Sequence, residues 1–567
     1  MSGGPLNAVY AALDEERYEE ALRLCGRSEV AGAPLVRALR SFALAQLDRG
    51  QEARALALEL LDQQRDEAVL GTVVHTFRAL GDQTSLVRCH ETLLQLNPSS
   101  ERHAQQLFFA LARAGELKRM QQTASLMYRG LGRRRYLFWT VCCMLTAEPP
   151  SPMTLTLAEK MLRKLLYEVF PSARPGFEEL RLLVNVILRQ DGADRALTAI
   201  DELSSRPSGP PPSDQDSEQE VDASALQMHE LRCEVLRRSG DSRGELRELA
   251  ALLAHSPDQW TAYTRAVDLL CGPLAKDEEA RSSHLLLVQS LQRTHPALRG
   301  PWLAEVHLSC ALSSDDRLIR RLWGEDSSAC SVLTRALHSY VDKFGDRQCC
   351  YSDVRPFVET LVKLAEERAV FEWLEGEANE ATNRLDTCED IGLQKNMLTR
   401  VVNLTQLRYL CNQLAGECDY GAVATNALQL YKLTTKKVAL SESSARETRP
   451  DDELLLLATA ALREMVVDTT PAKFSILFES AMLAEYGCKE SPHSYCLKLD
   501  QIKLCRDLGA GVAAMNLFNS FSIRYIQLDS LSFLVTPLLM ELGLFNEVRF
   551  LCTVWIIFLI SLGYSNQ

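Results

Sequence analysis

The strongest constraint on the fold of this chain is a helical hairpin that recurs along it. Residues 71–98 contain two apolar stretches with helical spacing, which predict two amphipathic helices. Gly81 separates them, because glycine adopts the left-handed conformation that ends a helix without steric cost. Pro98 closes the unit, since proline cannot continue a helix. A lone hairpin cannot bury its apolar face, so we expect a neighbour stacked on each side.

Turn residues recur at nearly constant intervals along the chain. Gly115 lies 34 residues after Gly81, Gly50 lies 31 residues before it, and Gly543 lies 34 residues after Gly509. A period of about 34 is that of tetratricopeptide (TPR) repeats, in which helical hairpins stack side by side. We therefore predict an all-α protein, a right-handed α-solenoid of TPR-like helical hairpins. The alternative is a set of unrelated hairpins in an α-rich protein.

Composition is that of an acidic globular protein. The chain has 62 Lys and Arg against 75 Asp and Glu, a net charge of −13, which disfavours non-specific nucleic-acid binding by the whole surface. Its 17 cysteines show no paired C-x-x-C spacing, so we predict reduced thiols and a cytoplasmic location. Metal binding or oxidation of the adjacent pairs at 142–143 and 349–350 is the alternative. The first residues lack a secretion signal.

Composition also divides the chain into segments. The predicted segments are N-terminal TPR-like repeats at 1–203, a disordered acidic Pro/Ser loop at 204–222, a central irregular hairpin region at 223–440, a polar loop at 441–453, C-terminal TPR-like repeats at 454–552 and an apolar atypical tail at 553–567. The first loop has no apolar period with which to offset the entropy of ordering. The apolar run at 550–562 is shorter than the ~20 residues of a membrane-spanning helix, so no membrane partner is predicted.

A basic cluster adjoins an aromatic segment at residues 136–139. Its members are Lys118, Arg119, Arg133, Arg134 and Arg135. Basic residues beside aromatic rings can bind RNA through phosphate neutralisation and base stacking. We therefore predict an RNA contact at this cluster. The alternative is a solvated loop followed by a core helix.

One segment resembles a cofactor-binding loop. Arg506, Gly509 and Gly511 match the R-x-x-G-x-G pattern with which GNAT acetyltransferases hold acetyl-CoA, and the two glycines also fit dinucleotide-binding loops. Both loops need a preceding β-strand. Residues 497–508 instead predict a helix, so we interpret the segment as a repeat turn. An acetyltransferase site here is the alternative.

No other pattern indicates an active site. The chain contains no His-Glu-x-x-His, Walker loop or G-x-S-x-G sequence, and its histidines are scattered. The acid pairs at 315–316 and 451–452 are predicted to lie in polar loops. No catalytic, cofactor-binding or metal-binding residues are therefore predicted.

Several segments together resemble the auxiliary subunit of the N-terminal acetyltransferase B (NatB) complex. The stronger matches are residues 114–122, 136–139, 298–301 and 343–353, and weaker matches are residues 525–529 and 542–543. The most specific part is Phe-Gly-Asp-x-x-Cys-Cys at 344–350. The resemblance extends to about Cys552.

This resemblance implies a non-catalytic, TPR-type superhelix around a separate GNAT catalytic subunit. The partner would bind acetyl-CoA, so this chain would need no cofactor of its own. The complex would be tethered to the ribosome, and the basic cluster described above would then contact ribosomal RNA. The complex would meet nascent polypeptides through the partner and acetylate those that begin Met-Asp, Met-Glu, Met-Asn or Met-Gln. Specific DNA binding is not implied.

Two segments depart from the family pattern. The loop at 204–222 looks like an insertion, and residues 553–567 do not resemble the family's continuation, although family members extend well beyond position 567. We interpret that tail as a candidate truncation. The alternative function is a general TPR adaptor for trafficking or cytoskeletal cargo, without an acetyltransferase link.

Overall fold

The computed structural model describes residues 5–27, 31–146, 150–169, 176–206, 217–364, 369–388, 390–416, 418–437, 449–466, 473–521 and 526–553. They form two compact units, one within Met1–Gly240 and the other within Asp241–Phe558. Every regular element in these ranges is helical. The predicted all-α fold of TPR-like hairpins is therefore confirmed.

Consecutive antiparallel helices make up the first unit. They are α1 (Pro5–Asp14), α2 (Tyr18–Cys25), α3 (Pro34–Gln46), α4 (Gly50–Gln63), α5 (Glu67–Ala79), α6 (Gln83–Leu96), α7 (Glu101–Arg113), α8 (Leu117–Leu131), α9 (Arg134–Leu145), α10 (Pro152–Arg163), α11 (Phe177–Leu188), α12 (Ala193–Ser204) and α13 (Ser217–Ser239). A π-helical segment, Lys164–Val169, extends α10.

The second unit continues the helical pattern. Its helices are α14 (Ser242–His255), α15 (Trp260–Cys271), α16 (Glu278–Thr294), α17 (Arg299–Ala311), α18 (Asp316–Trp323), α19 (Ala329–Phe344), α20 (Cys350–Leu364), α21 (Ala369–Thr387), α22 (Ile391–Ala415), α23 (Tyr420–Lys437), α24 (Asp452–Glu464), α25 (Lys473–Glu490), α26 (Tyr495–Asp507), α27 (Gly511–Asn519), α28 (Ile526–Leu531) and α29 (Thr536–Glu541). A 3-10 turn, Ser532–Leu534, precedes α29, and residues 545–553 are helical. None of the helices in the described residues is both long enough and apolar enough to cross a bilayer.

Helices α5 and α6 form the hairpin predicted at residues 71–98. Asp66 caps α5 by accepting hydrogen bonds from the backbone of Ala68 and Val69, and Asp82 caps α6 in the same way. Gly81 between them has φ +64°, the left-handed conformation that the turn requires. Phe77 is fully buried in the hairpin core.

The left-handed turn residues match the predicted period with one correction. Gly81, Gly115, Gly509 and Gly543 have φ values between +64° and +73°. The prediction for Gly50 is wrong, because Asp48 takes the left-handed position with φ +57°. A short polar side chain tolerates this conformation. Gly50 instead begins α4, where a Cβ would lie 3.3 Å from Leu80 Cδ2.

The predicted loop at 204–222 is shorter than expected. Helix α12 ends at Ser204 and α13 begins at Ser217, so the prediction is wrong for residues 217–222, whereas 207–216 lie outside the described residues. Glutamate and glutamine in this final part favour a helix, unlike the Pro- and Gly-rich part before it. The boundary between the units at Gly240 and Asp241 falls inside the segment predicted at 223–440.

The predicted polar loop at 441–453 ends in a buried acidic pair. Asp451 and Asp452 are 0% and 3% exposed and Asp452 begins α24, so the prediction that this acid pair lies in a polar loop is wrong. Asp451 is neutralised by Arg449, with 2.6 Å between Oδ2 and Nη2. Residues 441–448 of this loop and 554–567 of the tail lie outside the described residues.

Candidate functional site

Most of the predicted RNA-binding cluster is engaged in ion pairs. Arg133 and Arg135, at the start of α9, both pair with Glu101 of α7, and Arg133 Nη1 lies 2.9 Å from Glu101 Oε1. The Tyr136 hydroxyl donates to the same carboxylate, and the Arg135 guanidinium lies 4.8 Å from the Tyr136 ring centroid. The hydrogen bond from Tyr136, followed by that from Arg135, holds the pKa of Glu101 below its usual value. One carboxylate therefore ties the start of α9 to α7.

The remaining cluster residues are placed differently. Arg134 pairs with Glu179 of α11, and Arg119 pairs with Glu116 at 2.5 Å and with Glu91 of α6. Lys118 is exposed and forms no ion pair with a described residue. The four arginines thus bridge neighbouring helices or turns, and a phosphate would have to compete with these glutamates. The ribosomal RNA contact stays a prediction.

The aromatic segment beside this cluster belongs to the helical core. Tyr136 is fully buried and Phe138 is 8% exposed. Trp139 is half-buried and stacks on Phe108 of α7, with 4.6 Å between ring centroids. These rings stabilise the contact between α7 and α9, so they support the core-helix interpretation of residues 136–139.

The segment that resembles an acetyl-CoA loop is a helix–helix turn. Arg506 lies in the last turn of α26, Gly509 has φ +69° and Gly511 begins α27. A Cβ on Gly511 would lie 2.7 Å from Leu544 Cδ1 and 2.8 Å from Leu542 Cδ1. Close packing against the next hairpin therefore accounts for this glycine, and the predicted repeat turn is confirmed.

Two segments that carry the family resemblance meet in the second unit. Arg299, the first residue of α17, donates from Nη1 to Asp353 Oδ2 at 3.1 Å. The Tyr340 hydroxyl of α19 donates to the same oxygen at 2.6 Å. Burial and then the hydrogen bond to Asp353 raise the pKa of Tyr340, which keeps this hydroxyl protonated as a donor. The shared carboxylate joins α17, α19 and α20.

Helix α22 holds the most specific part of the resemblance, the turn at residues 344–350. Asn403, which is 3% exposed, donates from Nδ2 to the carbonyl oxygens of Gly345 and Arg347 at 2.8 Å each. Arg400 Nη1 donates to the Val341 carbonyl at 3.0 Å. The Val341 and Arg347 carbonyls also accept backbone hydrogen bonds, from Gly345 and Cys350, so the α22 side chains add a second bond to each. The sequence identified the turn but gave no sign of its partners on α22.

The adjacent cysteines in this turn behave as core thiols. Cys350 is fully buried, and burial raises the pKa of its thiol to about 12. Burial also raises the pKa of Cys349, against the opposing effect of Arg299. No cluster of three or more potential metal ligands occurs among the residues that the structure describes.

A buried carboxylate at the start of α24 escaped the sequence analysis. Asp452 Oδ1 accepts a hydrogen bond from Ser491 Oγ at 2.7 Å. Burial raises the pKa of Asp452 to about 6, and the neighbouring Asp451 charge adds to the rise. Arg449 pairs with Asp451, whereas the Asp452 charge is supported by hydrogen bonds from the Ser491 and Ser494 hydroxyls and from the Arg449 backbone. The local sequence contains two acids and no sign of their burial.

Two protein-family models match this chain, one in its C-terminal part and one in its N-terminal part. A family described as the N-acetyltransferase B complex (NatB) non catalytic subunit matches residues 258–561, just over half of the chain. A family described as Psidin, N-terminal TPR repeats region, matches residues 5–229. The first match includes residues 553–561, which were expected to lie outside the family pattern.

Relatives from distant organisms match most of this chain but only part of their own length. The human protein named N-alpha-acetyltransferase 25, NatB auxiliary subunit, is 24% identical over 567 residues, covering 93% of this chain and 54% of the human protein. The Arabidopsis thaliana protein named N-terminal acetyltransferase B complex auxiliary subunit NAA25 is 22% identical over a match that covers 92% of this chain and 49% of the Arabidopsis protein. This chain therefore spans about half the length of these curated relatives.

A solved structure shares the fold. The structure titled "Structure of Naa15/Naa10 bound to HypK-THB" aligns with a TM-score of 0.55 at 14% identity, covering 91% of this chain and 68% of the matched chain. At this identity the similarity concerns the helical architecture alone.

Proposed function

Because this chain belongs to the family of the non-catalytic subunit of the N-acetyltransferase B complex, we propose that it acts as an auxiliary subunit of that complex. In this role it holds a GNAT-fold catalytic subunit, which binds acetyl-CoA and transfers the acetyl group. The observation that carries the proposal is the family match over residues 258–561, which covers nearly all of the second unit.

The helical architecture suits this role physically. Stacked hairpins present an extended surface for a protein partner, and each hairpin is supported mainly by its neighbours. The turn at residues 506–511 packs against leucines of the next hairpin and follows a helix, which is unlike a phosphate-binding loop. The catalytic groups then come from the partner.

The proposal extends to substrate and location. The complex acts in the cytoplasm on nascent chains beginning Met-Asp, Met-Glu, Met-Asn or Met-Gln, and this chain tethers the catalytic subunit to the ribosome. Residue Lys118 supports the tether, because it is an exposed cation beside a helix-bridging arginine network.

Co-expression with the small GNAT subunit of the same organism tests the proposal. We expect the two chains to co-purify and to acetylate Met-Asp and Met-Glu peptides, with a Ser-Glu peptide as the negative control. Turnover by this chain alone would overturn the non-catalytic assignment. Failure of the two chains to co-purify would instead favour the general TPR adaptor.

A further inference from the structure

Helix α25 carries an exposed apolar ridge that the second unit leaves uncovered. Its members, with exposed fractions of 66%, 51%, 57% and 48%, are Phe474, Phe478, Met482 and Tyr486. Residues four apart form one continuous ridge on a helix surface. The opposite face of α25 packs into the unit through Leu477, Ser480, Ala484 and Gly487. The helix is therefore apolar both toward the unit and toward solvent.

The ridge is broad and flat. The rings of Phe474 and Phe478 stack with 6.3 Å between centroids and 12° between planes, and Tyr486 contacts Tyr431 edge-on. From typical side-chain areas, the four exposed fractions sum to roughly 400 Å². Exposed apolar patches of this size mark interaction sites, because hydrating them is unfavourable.

The charges beside the ridge define its complement. Glu479 lies beside the ridge, and Glu490, four residues after Tyr486, lies at its C-terminal end; both are exposed and form no ion pair with any residue that the structure describes. On the other flank, Glu485 is neutralised by Lys489, with 2.8 Å between Oε1 and Nζ. A partner helix would thus meet apolar side chains along its centre and uncompensated negative charge on one side and at one end of the ridge.

We propose that α25 docks a basic amphipathic helix of a protein partner. The partner's apolar side chains, repeating every three to four residues, pack between the ridge residues, as in ridges-into-grooves packing. Its lysines or arginines lie beside Glu479 and Glu490, where the apolar contact partly excludes water and strengthens the attraction. This surface is independent of the acetyltransferase assignment.

Other occupants fit these charges less well. In a symmetric antiparallel pair of α25 helices, the centre of the ridge lies between Phe478 and Met482, so the Glu479 carboxylates of the two copies would approach each other. An anionic membrane surface would likewise be repelled by Glu479 and Glu490. A basic helix satisfies both the ridge and its acidic flank.

Binding of designed peptides to the full chain tests this inference. The probe is a synthetic amphipathic helix of about 18 residues with a leucine ridge and lysines along one flank. One matched peptide carries glutamates in place of the lysines, and a second contains the same residues in scrambled order. We expect fluorescence anisotropy to show binding of the lysine peptide at least about tenfold tighter than of either comparison peptide, corresponding to about 1.4 kcal/mol.

Variants locate the binding to the ridge. Phe478→Ser is expected to weaken binding of the lysine peptide about tenfold, since it removes a large contact at the centre of the ridge. Val512→Ser is the control, because Val512 is an apolar side chain that is 59% exposed on a different helix, α27, and the substitution should leave binding unchanged. The double variant Glu479→Lys, Glu490→Lys should prefer the glutamate peptide, a gain that misfolding cannot produce.

Three results would overturn the inference. These are equal binding of the lysine and glutamate peptides, unchanged binding by Phe478→Ser, and a dimer in sedimentation equilibrium that Phe478→Ser dissociates. Each result is separate from co-purification with a GNAT subunit, so this test and that of the proposed function can fail independently.

Discussion

Arg299 and Asp353 lie 54 positions apart in the chain and meet as an ion pair, with 3.1 Å between Nη1 and Oδ2. The contact joins the start of α17 to α20, and Tyr340 adds a hydrogen bond to the same carboxylate. Both partners belong to segments that resemble the family, so their function in this chain is to hold three helices together. Residues that carry the family resemblance thus support the helical scaffold.

Removal of this carboxylate should destabilise the second unit. We expect Asp353→Ala to lower the free energy of unfolding by about 1–3 kcal/mol, because the buried Tyr340 hydroxyl then lacks an acceptor. Urea denaturation measures the change. In a Tyr340→Phe background the same substitution should cost less, and equal effects in the two backgrounds would contradict the shared hydrogen bond.

Asp452 should make stability depend on pH in an unusual direction. Its pKa is about 6 in the folded chain against an ordinary value of 3.8, so the folded state holds the proton more tightly than the unfolded state. Its contribution to stability therefore falls as pH rises from about 4 through 6, by up to roughly 3 kcal/mol. Asp452→Asn removes this dependence and should be the more stable protein above pH 6.

Denaturation of both proteins at pH 5 and pH 8 measures this effect. The control is Asp14→Asn, at an exposed acid of α1, which should leave the difference between the two pH values unchanged. The prediction would be contradicted if the stability of the wild-type protein and that of Asp452→Asn changed equally between pH 5 and pH 8.

Gly300 should tolerate no side chain. A Cβ there would lie 2.8 Å from Asp258 Oδ1, 3.0 Å from Asp258 Cα and 3.1 Å from the Pro257 carbonyl oxygen. Since backbone atoms cannot move aside, Gly300→Ala should cost about 1–3 kcal/mol. Gly376→Ala is the matched control, because no heavy atom lies within 4 Å of that Cβ position in α21 and alanine favours a helix. Thermal denaturation should therefore move the two midpoints in opposite directions, and equal midpoints would refute the steric argument.

Lys118 allows the ribosome contact to be tested without disturbing the ion pairs that the neighbouring arginines form. Lys118→Glu reverses an exposed charge that forms no ion pair with the described residues, so co-sedimentation with ribosomes at low salt should fall without loss of stability. Lys160→Glu, at an exposed lysine of α10, is the control for net charge. Unchanged co-sedimentation of the Lys118 variant would remove the predicted contact.

Much of the fold follows from local sequence. The hairpin around Gly81 was predictable because helical periodicity and a left-handed glycine act within a few residues of each other. In the turn between α3 and α4, however, the left-handed residue is not the glycine, since Asp48 rather than Gly50 adopts that conformation. The helix before Gly509 was equally predictable, and it identified the apparent cofactor loop as a repeat turn.

The candidate surfaces were much less predictable. Arg133 and Arg135 looked like a nucleic-acid patch, yet they pair with Glu101, more than 30 positions earlier in the chain. The ridge of α25 could not be distinguished from a core face, because apolar residues occur on both sides of that helix.

Helices, turns and the stacking of hairpins could be predicted from local sequence, because they depend on backbone preferences and apolar periodicity over short distances. The neutralised charges, the burial of Asp452 and the exposure of Phe478 became known only from the packing of the helices. Each of these depends on which helix packs against which, and the partners lie tens of residues away, where no local pattern records them.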